Sequence, residues 1–403
     1  MTRIFKFGLR NLLRNPRRSL LIFSTIAFGA AALLLFRGIN HGILSDYREM
    51  SIHSRYGHGT LFKKGYHGTE TKENAWKGWF KNADEILPHL TQSGLLQDSF
   101  PRLGLSGLIG NGTVSLSGLG MGVKGVREAA FFDRLKIIEG HPLDGSRGNI
   151  FIGKGLAQAL NVKLGQSLSF LTTTVDGSVN MMSFVLVGVF ETGVKAVDDV
   201  SFKVELEDAQ VLLDTQAIES VAVALKPGVE WEDLKASLWE KNDVEFFSFE
   251  ELDQINYVNG VRWLKGQSRI FELIILVIIL LGIFNAVTVS VAERCYEFSV
   301  ARANGEKKVD ILRLLFTEMS LLGAGSAICG VILVVMVSRT FLANGIAMPP
   351  APGMTLGSQI TVSYFPNDIL TITALCLITL FISAVLGVVR VLHVPIAKGV
   401  QLS

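Results

Sequence analysis

Ser19-Leu20-Leu21-Ile22-Phe23-Ser24-Thr25-Ile26-Ala27-Phe28-Gly29-Ala30-Ala31-Ala32-Leu33-Leu34-Leu35-Phe36 holds no charged residue, and its reading decides the fold. A run this long and apolar crosses the ~30 Å of a bilayer's hydrocarbon as one helix. Three more such runs close the chain, Leu273–Ala292, Met319–Ser338 and Ile369–Val389, each roughly 18–21 residues long. Between the first and second runs lie roughly 220 mostly polar, Gly-punctuated residues, room for one or two soluble domains. The expected fold class is a membrane α-helical protein of four transmembrane helices, with a large α+β extracytoplasmic domain inserted between helices 1 and 2.

Orientation follows from Lys and Arg. Arg3, Lys6, Arg10, Arg14, Arg17 and Arg18 precede the first run, and Arg294, Arg302, Lys307, Lys308 and Arg313 lie between the second and third, whereas Leu342–Asp368 has none. The positive-inside bias places both termini and the short loop in the cytoplasm and the large domain outside. Because the apolar run continues through Leu33–Phe36, beyond Ala30-Ala31-Ala32, it reads as a retained anchor rather than a cleaved signal. The mean hydropathy of +0.40 agrees with a membrane protein. A net charge of +2 is too small to point to nucleic acid. Cys295, Cys329 and Cys376 sit in or beside the last three runs, so the outer domain is expected to hold by core packing without a disulfide.

The predicted layout is a cytoplasmic amphipathic elbow helix (1–18), a first span and stalk (19–44), an extracytoplasmic α+β domain (45–247), a stalk and second span (248–292), a cytoplasmic loop (293–313), a third span (314–341), a short extracytoplasmic loop (342–368), a fourth span (369–391) and a cytoplasmic tail (392–403). In the elbow, Arg3, Lys6, Arg10, Arg14 and Arg17 share one stripe opposite Ile4, Phe5, Leu9, Leu12 and Leu13, the pattern of an interfacial helix. Ser248-Phe249-Glu250-Glu251 has capping-box spacing. Run unbroken from there to Ala292, the helix would be about 67 Å long, with Gly260 and Gly266 as the places where it would break. Arg37 and Glu272 lie at matching depths near the outer mouth, about 28–32 Å from the inner ends of their helices. They either pair or reach water separately.

Within the outer domain, Ser183–Phe190 alternates as a strand, and Asn82–Thr91, Gly155–Leu160 and Trp231–Lys241 read as helices. Gly104–Gly125, rich in Gly and Ser, reads as loops or turns. Gly148–Gly155 nearly spells a phosphate-binding loop but has Gly155 where Mg²⁺ requires a Ser or Thr hydroxyl. His53, His58 and His67 match no zinc spacing. No nucleophilic triad or paired-carboxylate arrangement stands out, so the chain reads as a non-enzyme.

Four segments resemble the permeases of the MacB and LolC/LolE type, the FtsX-like or type VII ABC transporter family, and lie closest to the lipoprotein-releasing branch. Leu9–Arg18 is similar to the family's entry elbow, and Gly57-His58-Gly59-Thr60-Leu61 with Lys64-Gly65-Tyr66 to its first outer strand. Ile152–Ala157 with Leu164-Gly165-Gln166 resembles its MacB-like outer core. Phe284-Asn285, Glu293-Arg294, Glu297 and Arg302-Ala303-Asn304-Gly305 resemble its second span and coupling loop. The chain departs from the family pattern at Ser299, Ala301, Asn304 and Pro395–Gly399.

The resemblance implies an inner-membrane permease that turns ATP hydrolysis in a cytoplasmic ABC ATPase dimer into movement of the outer domain, with lipoprotein release as the implied task. Its implied ATPase-coupling residues are Glu293, Arg294, Glu297, Arg302, Gly305 and Arg313. A cargo cavity or gate is expected from Leu35, Arg37, Glu272, Leu273, Leu276 and Leu280. The chain itself would need no cofactor, ATP and Mg²⁺ belonging to the ATPase. Implied partners are a second permease chain, identical or not, a periplasmic carrier or adaptor, and membrane lipids. Efflux with a tripartite partner, FtsX-like signalling to a cell-wall hydrolase, and an anchored sensor without an ATPase are the alternatives.

Overall fold

The computed structural model describes residues 16–66, 75–238, 244–350 and 355–392. Arg3, Lys6, Arg10 and Arg14 of the elbow's stripe, His67 and the Pro395–Gly399 departure lie outside them. The chain divides into a helical unit, built from residues up to 45, 262–347 and 359 onward, and a sheet domain of residues 46–261 and 348–358.

Among the described residues, four helices are long and apolar enough to cross a membrane. The first, Pro16–Ser51, opens on a proline whose missing N–H costs nothing at a helix start. It ends in a π turn, Ile52–Tyr56, closed by Gly57 at φ 67. A Cβ there would meet the Val223 carbonyl at 2.6 Å, so both the backbone angle and the space demand glycine.

The capping box forms as its spacing predicts: Ser248 accepts from the Glu251 N–H, and the Glu251 carboxylate accepts from the Ser248 N–H at 2.8 Å. It starts only one turn, Phe249–Leu252. The helix does not run unbroken from Ser248. Asp253 leaves helical geometry (φ −108, ψ 51), a π turn spans Gln254–Val258, and the second long helix is Asn259–Glu293. Gly260 and Gly266 lie inside that helix and do not break it. The break has a packing reason: residues eight apart on a straight helix point about 80° apart, whereas here Tyr257 meets Phe249 edge-on at 4.9 Å in one aromatic core.

The third helix, Lys308–Thr340, begins inside the stretch expected to be loop, and the fourth is Pro366–Leu392. Their common core includes Ile26, Leu33, Ile283, Val287, Leu315 and Leu380. Small residues set the crossings: a Cβ on Gly330 would meet the Ala27 carbonyl at 2.8 Å, and one on Gly29 would meet Ile279 Cγ2 at 2.7 Å. Close backbone approach is the usual route to helix association in lipid, where no hydrophobic drive separates helix from solvent.

Among the described residues, the main sheet of the domain holds ten strands: β1 (Gly59–Lys63), β2 (Leu96–Gly110), β3 (Ser115–Val123), β4 (Lys136–Gly140), β5 (Asn149–Gly153), β6 (Ser167–Thr173), β7 (Val179–Glu191), β8 (Ser201–Glu205), β9 (Ser220–Leu225) and β10 (Val244–Ser248). Their order is β10-β1-β9-β2-β3-β8-β5-β7-β4, with β6 bridging β2 and β7. Strand β2 joins the two halves. Leu96–Arg102 pairs with β9, Leu103–Gly110 with β3, and Gly107–Gly110 also with β6. Helices Lys154–Leu160 and Leu206–Leu213 bury Leu156, Leu160, Leu206 and Leu212 against one face.

Gly104–Gly125, expected as loops or turns, is for the most part paired strand at the centre of the sheet. Gly107, Gly118, Gly120 and Gly122 mark the core-facing side of the pleat. A Cβ on Gly120 would lie 2.2 Å from the Phe202 ring, and one on Gly107 would lie 2.1 Å from the Leu171 carbonyl. The missing side chains make room for Phe170 and Phe202, both fully buried and packed edge-on at 4.7 Å.

Replacing Gly120 with Val is expected to destabilise the domain by about 1–3 kcal/mol through overpacking. Gly266→Ala, where a Cβ meets nothing within 4 Å, is expected to be neutral or to stabilise by about 0.5–1 kcal/mol. Thermal unfolding of the full chain in detergent reads both, and equal midpoints for the two variants would remove the packing role given to the glycine.

Candidate functional site

Two charged clusters hold the helical unit at separated heights. The distance along the second helix from Glu272 to its end near Arg294 is about 33 Å.

In the first cluster, Arg37 Nε donates to Glu272 Oε1 at 2.8 Å, and Arg37 Nη1 to Asp368 Oδ1 at 3.1 Å. Asp368 Oδ2 lies 3.0 Å from His41 Nε2. His41 also packs edge-on against Phe365 at 4.8 Å. Arg37 and Glu272, which sequence leaves either paired or separate, are paired. The guanidinium therefore ties together the first, second and fourth helices. Asn40 adds a neutral link: Ser268 Oγ donates to Asn40 Oδ1, and Asn40 Nδ2 donates to the Phe36 carbonyl.

Glycine permits the cluster. Gly38 and Gly42, one turn apart on the first helix, face the segment leading into the fourth. A Cβ on Gly42 would sit 2.0 Å from the Thr361 carbonyl, and the Ser363 N–H donates to the Gly38 carbonyl at 3.1 Å. Asp368 then falls in the first turn of its helix, where a carboxylate also faces the unpaired N–H groups of the helix start.

In the second cluster, Arg294 follows the last residue of the second helix and turns inward. Its Nη1 donates to Glu318 Oε2 at 2.5 Å, its Nη2 to Glu318 Oε1 at 3.3 Å, and its Nε to Glu297 Oε2 at 3.0 Å. The guanidinium stands 5.0 Å from the centre of the Phe298 ring. Both Arg294 and Glu318 are buried. The pair fastens the short helix Cys295–Ala303 to the third long helix.

Of the expected coupling residues, Arg294 is therefore a buried strut and offers no surface to a partner. Glu297 is shared between Arg294 and the exterior. Gly305 closes the short helix's exit at φ 94, and Arg313 makes an exposed contact with Asp310 at 3.7 Å. The longest continuous exposed stretch here is Ala303–Asp310, which includes Gly305; Arg302 is half-buried just before it, and Glu293 is exposed at the end of the second helix.

The expected cavity residues divide. Leu35 and Leu276 pack against the helical core beside buried Leu34, Leu280 is half-buried, and Leu273 points outward at 60% exposure. Ala27 and Ala31 are core, while Phe28 and Val277 are exposed. Alternation between core and outward face at helical spacing accounts for the division.

Sequence reading missed Glu318, Asp368 and His41. Glu318 immediately precedes the third apolar run, and a lone acid at the edge of such a run is a signal for a buried cation partner. His41 carries no pattern of its own.

The near-match to a phosphate loop is structural. Lys154 Nζ donates to Glu191 Oε1 at 3.1 Å, and a Cβ on Gly155 would meet Asp199 Oδ1 at 2.0 Å. His58 Nδ1 accepts from the Leu225 N–H at 3.2 Å, and burial pushes its pKa below the usual imidazole value. His53 stacks on Phe131 at 4.6 Å.

A span, an inserted sheet domain and three further spans, with a short helix clamped between the second and third, define a permease subunit of the ABC-transporter class. The sequence profile of the MacB-like periplasmic core domain matches residues 19–241, and that of the FtsX-like permease C-terminal region matches residues 269–396. The chain belongs to this MacB/LolC-type family. It is 23% identical over 273 residues to the lipoprotein-releasing system transmembrane protein LolC of Xylella fastidiosa (strain 9a5c), covering 63% of this chain and 64% of that one. It is 21% identical over 404 residues to LolC of Neisseria meningitidis serogroup B, covering 90% and 89%. The chain thus spans somewhat under two thirds of the first of these relatives. Among solved structures, the periplasmic region of MacB from Actinobacillus actinomycetemcomitans matches with a TM-score of 0.37 at 17% identity, covering 49% of this chain and 90% of that one. The extracellular domain of the transporter YknZ from Gram-positive bacteria matches with a TM-score of 0.34 at 13% identity, covering 47% and 99%.

Because Arg37 bridges two carboxylates, Arg37→Gln is expected to lower the thermal midpoint more than Glu272→Gln, which leaves the Asp368 contact. Exchanging the two charges places a carboxylate at 37 beside Asp368 and is expected to restore nothing. At the second cluster, Arg294→Met or Glu318→Leu alone is expected to cost about 3–5 kcal/mol by stranding a buried charge. The double variant should cost less than either. Additive losses would show that the two side chains do not act as a pair.

Proposed function

We propose that this chain is the membrane subunit of an ABC transporter in which a separate cytoplasmic ATPase dimer drives movement of the extracytoplasmic sheet domain, and that its task is lipoprotein release from the inner membrane. The carrying observation is the buried Arg294–Glu318 pair. A push on the helix Cys295–Ala303 cannot be absorbed by that helix alone, since the pair transfers it to the third span. The kinship with LolC supports the cargo class, and the positive-inside pattern supports a periplasmic sheet domain.

On this reading the ATPase meets the exposed turn Ala303–Asp310, with Glu297 at its margin. The Arg37–Glu272–Asp368 cluster acts as a gate that parts as the first and second helices move, and Leu35 and Leu276 lie along the route of the cargo's acyl chains. The assembly includes a second permease chain and a periplasmic carrier.

Reversing charge at Lys307 and Lys308 to Glu is expected to lower recovery of the co-purified ATPase, with membrane insertion unchanged. Glu297→Lys should do the same more weakly. Unaltered recovery and ATPase rate in both would rule out this turn as the contact. For the cargo, proteoliposomes holding the assembled complex should pass a tagged lipoprotein to a soluble acceptor only with ATP. Photo-crosslinkers at Leu35 and Leu276 should capture it. ATP hydrolysis without such transfer or capture would overturn lipoprotein release while leaving the ATPase partnership standing.

A further inference from the structure

One face of the sheet is filled by the main core. The other face of strands β1, β2, β3, β8 and β9 curves around a pocket of about 530 Å³ within the sheet domain, a size in the range of ~300–1,000 Å³ that takes small ligands. Period-2 alternation builds it. Leu61, Leu103, Phe202 and Val221 point to the core, and their neighbours Thr60, Arg102, Lys203 and Ser220 point to the pocket.

The pocket has two chemically different walls. The apolar wall includes Phe62, Leu119, Met121, Val197 and Val200, and Leu119 is 56% exposed, unusual for a leucine on a central strand. The polar wall carries three cations. Arg102 Nε and Lys203 Nζ donate to the two oxygens of buried Glu128, at 2.6 and 2.7 Å, and both cations lie over the Phe132 ring. One carboxylate thus serves two cations. Burial acts against ionisation of Glu128, but its two cationic partners outweigh that and hold its pKa below the usual range. The other acid, Glu219, accepts from the Gly104 N–H at 2.7 Å and from the Tyr66 hydroxyl.

Arg55 supplies the third cation. The π turn at the end of the first helix, closed by Gly57 N–H to the Ile52 carbonyl at 3.0 Å, places Arg55 and Tyr56 on the pocket wall. Among the described residues, Arg55 Nη1 and Ser201 Oγ are buried with no hydrogen-bond partner. Orphaned donors of this kind call for an explanation, and both residues line the same pocket.

We infer that this pocket binds an amphipathic anion, a single apolar chain ending in a carboxylate or phosphate, with the head group on Arg55 and Ser201 and the chain along Leu119 and Met121. Among the residues lining the pocket, three cations face one acid, Glu219, and Glu128 behind Arg102 and Lys203 offsets a second charge, which leaves one positive charge on the wall for the head. The apolar wall gives the chain a dry surface. The site lies wholly in the sheet domain and does not depend on the transport reading.

The test uses the full chain in neutral-lipid nanodiscs with a diazirine-bearing long-chain carboxylate, its adducts mapped by peptide mass spectrometry. Labelling is expected at residues 119–121 and 197–200. Unlabelled carboxylate and single-chain phosphate amphiphiles should compete, and the stronger of the two identifies the head group. The uncharged alcohol of equal chain length and inorganic phosphate should compete poorly. Arg55→Gln is expected to cut labelling about tenfold, as loss of a charge-assisted hydrogen bond would. Leu119→Glu, at an exposed side chain of the wall, should abolish it without unfolding the domain. Labelling confined to the membrane helices, equal competition by the neutral alcohol, or equal labelling of both variants and the parent would each overturn the assignment.

Discussion

A buried ion pair between Arg294 and Glu318 is the constraint on which the helical unit depends. Either charge alone would be costly at that position, so each fixes where the other must be. The consequence is geometric: the end of the second helix, the short helix and the third helix are held in one arrangement by three hydrogen bonds from a single guanidinium. The Arg37 cluster repeats the device with a different topology. One cation there serves acids on two helices and leaves a weaker, more exposed junction. The second helix takes part in both junctions, tight at the end near Arg294 and looser at Glu272, so the looser one is the preferred place to open.

Hydropathy made the four spans legible, because twenty apolar residues in lipid have few alternatives to a helix. The capping box at Ser248 was legible because its chemistry is local. What followed it was not, since the break at Asp253 arises from Phe249 and Tyr257 sharing one core, a relation between residues and their surroundings. The glycines of Gly104–Gly125 misled for a related reason. Composition alone ties glycine to turns, but here the glycines on β3 accommodate a phenylalanine contributed by β8, far along the chain.

Candidate site residues were legible in part. Arg37 and Glu272 could be matched by counting along helices, yet Asp368 and His41 complete the cluster from positions with no such register. Arg294 was recognisable as important, but its direction was not. Charges in a short loop between spans suggest an outward face, and only the position of Glu318 one helix away shows that Arg294 turns inward. The pocket on the second face of the sheet was illegible, because it is assembled from strands scattered between residues 59 and 225.

Strand β2 has a mechanical consequence. Its first half is hydrogen-bonded to β9 and its second half to β3 and β6, so tension entering the sheet through β1 and β10 passes along β2 before it reaches β8 by way of β3, or β5 by way of β6 and β7. Tension directed along the strands would load many hydrogen bonds at once, in shear. Tension across them would open the bonds one at a time, as in peeling. The domain is therefore stiff in one direction and compliant in the other, and this anisotropy is set by a single strand of 15 residues.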